Sequence, residues 1–102
     1  MRLESSHQAE IIRELKKRKR SFTHKHCPSP TGYPDVEHLE CGVLFLFECK
    51  RTPKDIPSPI QARRHRELKR AGARVYVVYT WKQVKRIMNG FRKINKRNKR
   101  NT

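Results

Sequence analysis

Apolar positions repeat along the chain with two periods, and the elements follow from where each period holds. Gln8, Ile11, Ile12 and Leu15 fall at i, i+3, i+4 and i+7, one face of a 3.6-residue repeat. That spacing predicts a helix over residues 4 to 19, with a polar face ending in KKRKR. SFTHKHC reads as a short strand and PSPTGYP, with its prolines and glycine, as a loop. DVEHLE and VLFLFECK read as two strands joined at Cys41-Gly42, a dipeptide suited to a two-residue hairpin turn. After the RTPKDIP loop, Ser58 caps a second helix, Pro59 takes its first position and Gly72 ends it. RVYVVY is a β-branched and aromatic strand whose nearly unbroken apolar run suggests a central place in the sheet. Thr80 to Gln83 fits a capping box, and the helix it opens carries Val84, Ile87, Met88 and Phe91 on one face. From Arg92 onward the pattern is lost, and a frayed basic tail over residues 92 to 102 is expected beyond a domain at 1 to 91.

The elements sum to one α/β domain, and charge says what it meets. Lys and Arg number 26 against nine Asp and Glu, a net charge of +17. Residues 92 to 102 hold six of those bases and no acid, so the remainder is strongly basic by itself. A phosphate-rich partner is the inference. No apolar stretch approaches the ~18–20 residues of a spanning helix, no signal-peptide core is present, and the basic helices lack a broad aromatic-apolar face, which speaks against a membrane. Three cysteines without regular spacing do not suggest a disulfide framework, and a cytoplasmic setting is expected. With a hydrophobic share of only 34%, the core is small enough for a second subunit to help complete it.

The hairpin then delivers candidate chemistry. With Cys41 and Gly42 in the turn, Glu40 pairs with Val43, and counting outward sets Asp35 opposite Glu48. Directly paired residues bring their Cβ atoms to ~4.5–5.5 Å on one face. Two carboxylates that close repel unless a shared divalent cation removes the conflict, and Lys50 projects from the same face. Glu4 lies one turn before Gln8 on the inward side of the first helix, where the helix dipole alone would also favour it. A rival grouping, His24, His26 and Cys27 with His38 and Cys41, invites zinc, but its spacing is irregular and Cys27 opposes the two histidines across the strand. His7 and His65 read as solvated helix residues, and Tyr33 either packs on the loop or stacks on a sugar or base.

Pro34-Asp35 followed by Glu48-Cys49-Lys50 resembles the PD-(D/E)XK nuclease pattern. Gly32-Tyr33-Pro34-Asp35, the Glu48-Cys49-Lys50 triplet, Ser58 with Gln61, and a first helix led by Glu4 resemble the VRR-NUC branch, in its small stand-alone virus- or phage-type form. Cys49 departs from the commoner valine or leucine, and the basic tail has no counterpart in the pattern. The resemblance implies a restriction-endonuclease-like αβββαβ core, a mixed sheet flanked by helices. It implies that Asp35, Glu48 and the Cys49 main-chain carbonyl bind Mg²⁺ or Mn²⁺, with Glu4 on a second metal or its waters. Lys50 would activate water and stabilise charge, and Gln61 would orient Lys50 or that water. The implied activity is a structure-specific DNA endonuclease, expected to be a homodimer that resolves four-way (Holliday) junctions. A non-catalytic basic nucleic-acid-binding module and a monomeric flap or nicking nuclease stay open as alternatives. Phosphate contacts are expected from Lys16, Lys17, Arg18, Lys19, Arg20, Arg51, Arg63, Arg64, Arg92, Lys93, Lys96 and Arg97.

Overall fold

The hairpin forms in the register that its turn dictates. In the computed structural model, which describes residues 4 to 26 and 31 to 100 and the side chains of 6 to 26 and 31 to 96, β2 (Val36–Glu40) pairs antiparallel with β3 (Val43–Cys49). Glu40 lies opposite Val43 and Val36 opposite Phe47. Cys41 and Gly42 both have positive φ, 50° and 81°, the left-handed pair that a two-residue turn between twisted strands requires. β1 (Ser21–Lys25) pairs antiparallel with β2, and β4 (Arg74–Val78) runs parallel to β3, giving the order β1-β2-β3-β4.

β4 is therefore an edge strand and not a central one. Its continuous apolar run reflects helices on both of its faces, which a parallel strand needs wherever it lies in the sheet. α1 (Glu4–Leu15) and α3 (Trp81–Arg100) pack together on one face. There Ile11, Leu15, Val84, Met88 and Phe91 meet Val36, Phe45, Phe47, Cys49 and Val78 in one core. α2 (Pro59–Arg70) covers only the β3–β4 half of the other face. Leu46 and Glu48 point to that second face by strand alternation.

Two helix boundaries differ from the sequence pattern. α1 ends at Leu15, and KKRKR forms a turn in which Lys17 and Arg18 donate backbone bonds only three residues back, to Glu14 and Leu15. Five adjacent like charges offer no i,i+4 support, and Arg18 is drawn inward by a partner on β2. α3 instead continues to Arg100 with no break at Arg92: no proline interrupts it, and Gly90 keeps a helical backbone within it. Residues 92 to 100 of the expected tail are helical, and 92 to 96 are mostly exposed. Met88 and Phe91 are buried in the chain's own core, so the α3 face is not left over for a second subunit.

Candidate active site

Asp35 directly precedes β2, and extending the observed register sets it opposite Glu48. Its Oδ2 accepts the Cys49 amide at 3.0 Å and its carbonyl accepts the His26 amide at 2.8 Å. Both bonds fix the acid at the mouth of the sheet. Glu48 is 1% exposed, and its Oε1 lies 3.3 Å from Nε2 of His65 on α2. Cys49 turns its side chain into the core on the opposite face.

Lys50 follows the end of β3 and donates from Nζ to Gln61 Oε1 at 3.1 Å. The same oxygen accepts the Ser58 amide at 2.9 Å, while Ser58 Oγ accepts the Gln61 amide. A reciprocal helix cap thus also holds the lysine. The loop bearing Asp35 is docked on the same helix. Arg64 Nε donates to the Thr31 carbonyl at 3.0 Å, and Gly32 (φ 76°) lies so close that a Cβ there would fall 2.7 Å from the Ile60 carbonyl oxygen. Glycine is required at this contact both by its backbone angle and by the approach of α2. Asp35, Glu48, Lys50 and Gln61 are brought together. Glu4 opens α1, but its side chain lies outside the described residues.

His65 is a correction to the sequence reading. It is 7% exposed and turned onto Glu48, one helical turn beyond Gln61 on the same side of α2. Burial, then the Lys69 and Lys50 cations, push its pKa below the ordinary histidine value, against a smaller opposite pull from Asp35. It is neutral at pH 7. The i,i+4 spacing from Gln61 was the available signal. His7 is half-buried, with its Nδ1 shielded from solvent and without a hydrogen-bond partner among the described residues. The rival zinc ligands are dispersed. His38 is fully buried between Thr23 and Glu40, Cys41 sits at the exposed turn, and Cys27 lies outside the described residues.

Arg18 leaves the expected phosphate-facing set. Its guanidinium makes a two-pronged contact with Glu40 at 2.6 and 2.9 Å, and its side chain is 9% exposed. Lys17, Lys19, Arg20, Arg92 and Lys96 instead line an open groove between the KKRKR turn and α3. Lys16, Arg51, Arg63 and Lys93 are exposed, with Arg51 near Asp55 and Arg63 near Glu67. Arg64 spends its guanidinium on Thr31 and Glu67, and the side chain of Arg97 lies outside the described residues.

No protein-family model and no curated protein matches the sequence. Solved structures do. One, a "VRR_NUC domain", superposes with a TM-score of 0.72 at 26% identity, over 84% of this chain and 94% of its own. A second, a "VRR_NUC domain protein", gives 0.70 at 17% identity over 86% of each chain, a likeness of fold.

Proposed function

We propose that the chain is a VRR-NUC nuclease, a divalent-metal-dependent endodeoxyribonuclease cutting branched DNA, a reading supported by its likeness to solved VRR_NUC domains. The observation that carries the reading is the Asp35 carboxylate held on the Cys49 amide, in a register that extends to Glu48, beside a lysine held by Gln61. The donor set fits a hard cation. Two carboxylates and the Cys49 carbonyl supply only oxygen, and Asp35 Oδ1 has no partner among the described residues. No group of three His, Cys, Asp or Glu side chains suited to a metal occurs among the described residues. Water and phosphate oxygens would complete the shell, as Mg²⁺ prefers. When bound, Mg²⁺ or Mn²⁺ supplies a more acidic water and neutralises charge on the scissile phosphate.

The protein's own residues divide the remaining work. Lys50 orients the attacking water and offsets the charge that builds on the non-bridging oxygens. Gln61 keeps the ammonium in place. His65, neutral, holds the Glu48 carboxylate in one rotamer from behind, and the Cys49 amide does the same for Asp35. Glu4 is assigned to a second metal or its waters on the family resemblance alone. Basic side chains in the groove and on the exposed end of α3 hold the phosphate backbone without reading sequence.

The substrate we favour is the four-way junction cut by a homodimer, since two symmetry-related sites are what paired incisions require. Such a dimer would use a surface other than the apolar face of α3, which is already buried. Among the described residues no helix is long and apolar enough to cross a membrane. Incubation of supercoiled plasmid and a synthetic junction with Mg²⁺ or Mn²⁺ tests the reading. Nicking abolished by EDTA is expected, with paired cuts on the junction. No cleavage of either DNA leaves the protein a binding module, whereas unpaired cuts by a monomer in light scattering remove only the resolvase assignment.

A further inference from the structure

α2 covers half of the sheet face that carries the proposed site, and the β1–β2 half lies open. Phe22 is 67% exposed and Leu39, its partner across the strands, is 45% exposed. Strand alternation puts Phe22, His24 and His26 on this face, the face of Asp35 and Glu48. The rings form a row. His24 and His26 have centroids 5.0 Å apart, and His26 and Tyr33 4.6 Å, with edges against faces. His26 is fixed by Glu37 at 2.5 Å, so the two exposed rings are those of Phe22 and His24.

An exposed aromatic side chain contributes nothing to the core, and soluble proteins seldom leave one beside a second apolar residue on an uncovered sheet. The basic groove offers an explanation. Arg20, which lines it, lies two residues before Phe22. From Phe22 to the level of Asp35 is four residues of strand, ~13 Å, about the length of four stacked nucleotides. A strand whose phosphates leave the groove around the Arg20 end of β1 would pass the rings before reaching the two acids.

We propose that Phe22 and His24, continued by His26 and Tyr33, form a stacking track that carries unpaired nucleotides at a DNA branch point into the site at Asp35 and Glu48. The proposal rests on the nuclease reading and adds to it that the base pairs at the branch point, of a four-way junction or a flap, open to present unpaired nucleotides to the site. Sequence tolerance follows, because every base offers a π-face. A second copy of the chain is a poorer occupant. A two-fold contact through this face would press together two copies of a protein of net charge +17.

Binding of the full chain in EDTA to a blunt duplex, and to the same duplex with a single-stranded extension, tests the track by fluorescence anisotropy. We expect the wild type to favour the extended DNA. Phe22→Ala should weaken that complex roughly tenfold and blunt-duplex binding less than about twofold, with Phe22→Trp restoring it. Because Phe22 is exposed, the fold survives the change, and a thermal melt verifies this. Equal weakening on both DNAs, no weakening on either, or a dimer that becomes a monomer in light scattering would each overturn the track. Binding is read without metal. A wild type that does not nick in Mg²⁺ therefore overturns the nuclease reading, while the two-DNA comparison still decides the track.

Discussion

The sheet carries two clusters of acid, histidine and cation on its opposite faces, built largely from the same hairpin. On the α1–α3 face, Glu40 receives Arg18 through two bonds and His38 Nε2 at 2.8 Å, while Thr23 Oγ1 meets His38 Nδ1 at 2.8 Å. On the other face stand Asp35, Glu48, Lys50, Gln61 and His65. The first cluster is closed. Its bonds are reciprocal, and Glu40 lies 5% and His38 0% exposed. The second leaves Lys50 and Asp35 half-exposed and aimed past the end of the sheet. Similar residues thus serve stability where they satisfy one another, and the proposed chemistry is assigned to the cluster that stays accessible at Asp35 and Lys50.

The sharpest break between the clusters is expected from Glu48→Gln. Cleavage should fall by about 10⁴-fold or more as a metal-binding carboxylate is lost, with thermal stability not lowered and DNA binding retained. Plasmid nicking, melting and anisotropy measured together check this, and near wild-type cleavage would place the site elsewhere. Arg18→Ala should do the converse. Removing one partner strands Glu40 in the interior and costs about 3–5 kcal/mol of stability, whereas Arg18→Met with Glu40→Leu should restore most of it. Denaturant titration reads both, and an Arg18→Ala variant of native stability would mean that the pair contributes nothing.

Gly32→Ala probes the join between the Asp35 loop and α2. The added methyl meets the Ile60 carbonyl at 2.7 Å, so loop and helix must separate. Displacing one acid by about 1 Å should lower the cleavage rate about 100-fold, with a smaller loss of stability. Unchanged kinetics would show that the docking is incidental to the site.

The gentlest test uses pH on the closed cluster. Burial holds His38 below its ordinary value, Arg18 adds to the lowering, and Glu40 pulls the other way without prevailing. The unfolded chain therefore takes up a proton that the folded one refuses. That stability is present above ~6.5 and is lost as pH falls below it. Burial alone would raise Glu40, yet the bonds from Arg18 and His38 leave it lowered, so its contribution disappears only below 4.5. His65 acts with the same sign as His38. Thermal midpoints should fall between pH 7 and 5, and His38→Gln should reduce that slope. A slope left intact by His38→Gln would remove His38 from the account.

Local and semi-local features were legible in the sequence for reasons the structure explains. The two-residue turn sets the hairpin register, and Ser58, Pro59 and Gly72 bound α2 through their own backbone demands. What escaped depends on distant partners. Nothing in KKRKR distinguishes Arg18 from its neighbours, because its acid lies 22 residues away. The open β1–β2 face escaped as well, since alternation assigns residues to faces without saying which face a helix will cover. Covered faces made RVYVVY read as central, although its other edge is unpaired in the sheet.

The turn at Cys41-Gly42 has a consequence for how such a gene can vary. Glu48 lies five residues along β3 from Val43, ~17 Å from the turn, yet the turn determines its partner. One codon inserted there, with the two-residue turn kept, would shift the register by one and turn every later strand residue to the opposite face, sending Glu48 to the core and Cys49 to the face of Asp35. Codons gained in the loop over residues 51 to 58 would lengthen a surface excursion without disturbing that parity. Insertions and deletions among descendants should therefore be excluded from the hairpin tip and accumulate between β3 and α2, although Glu48 lies toward the far end of β3 from that tip.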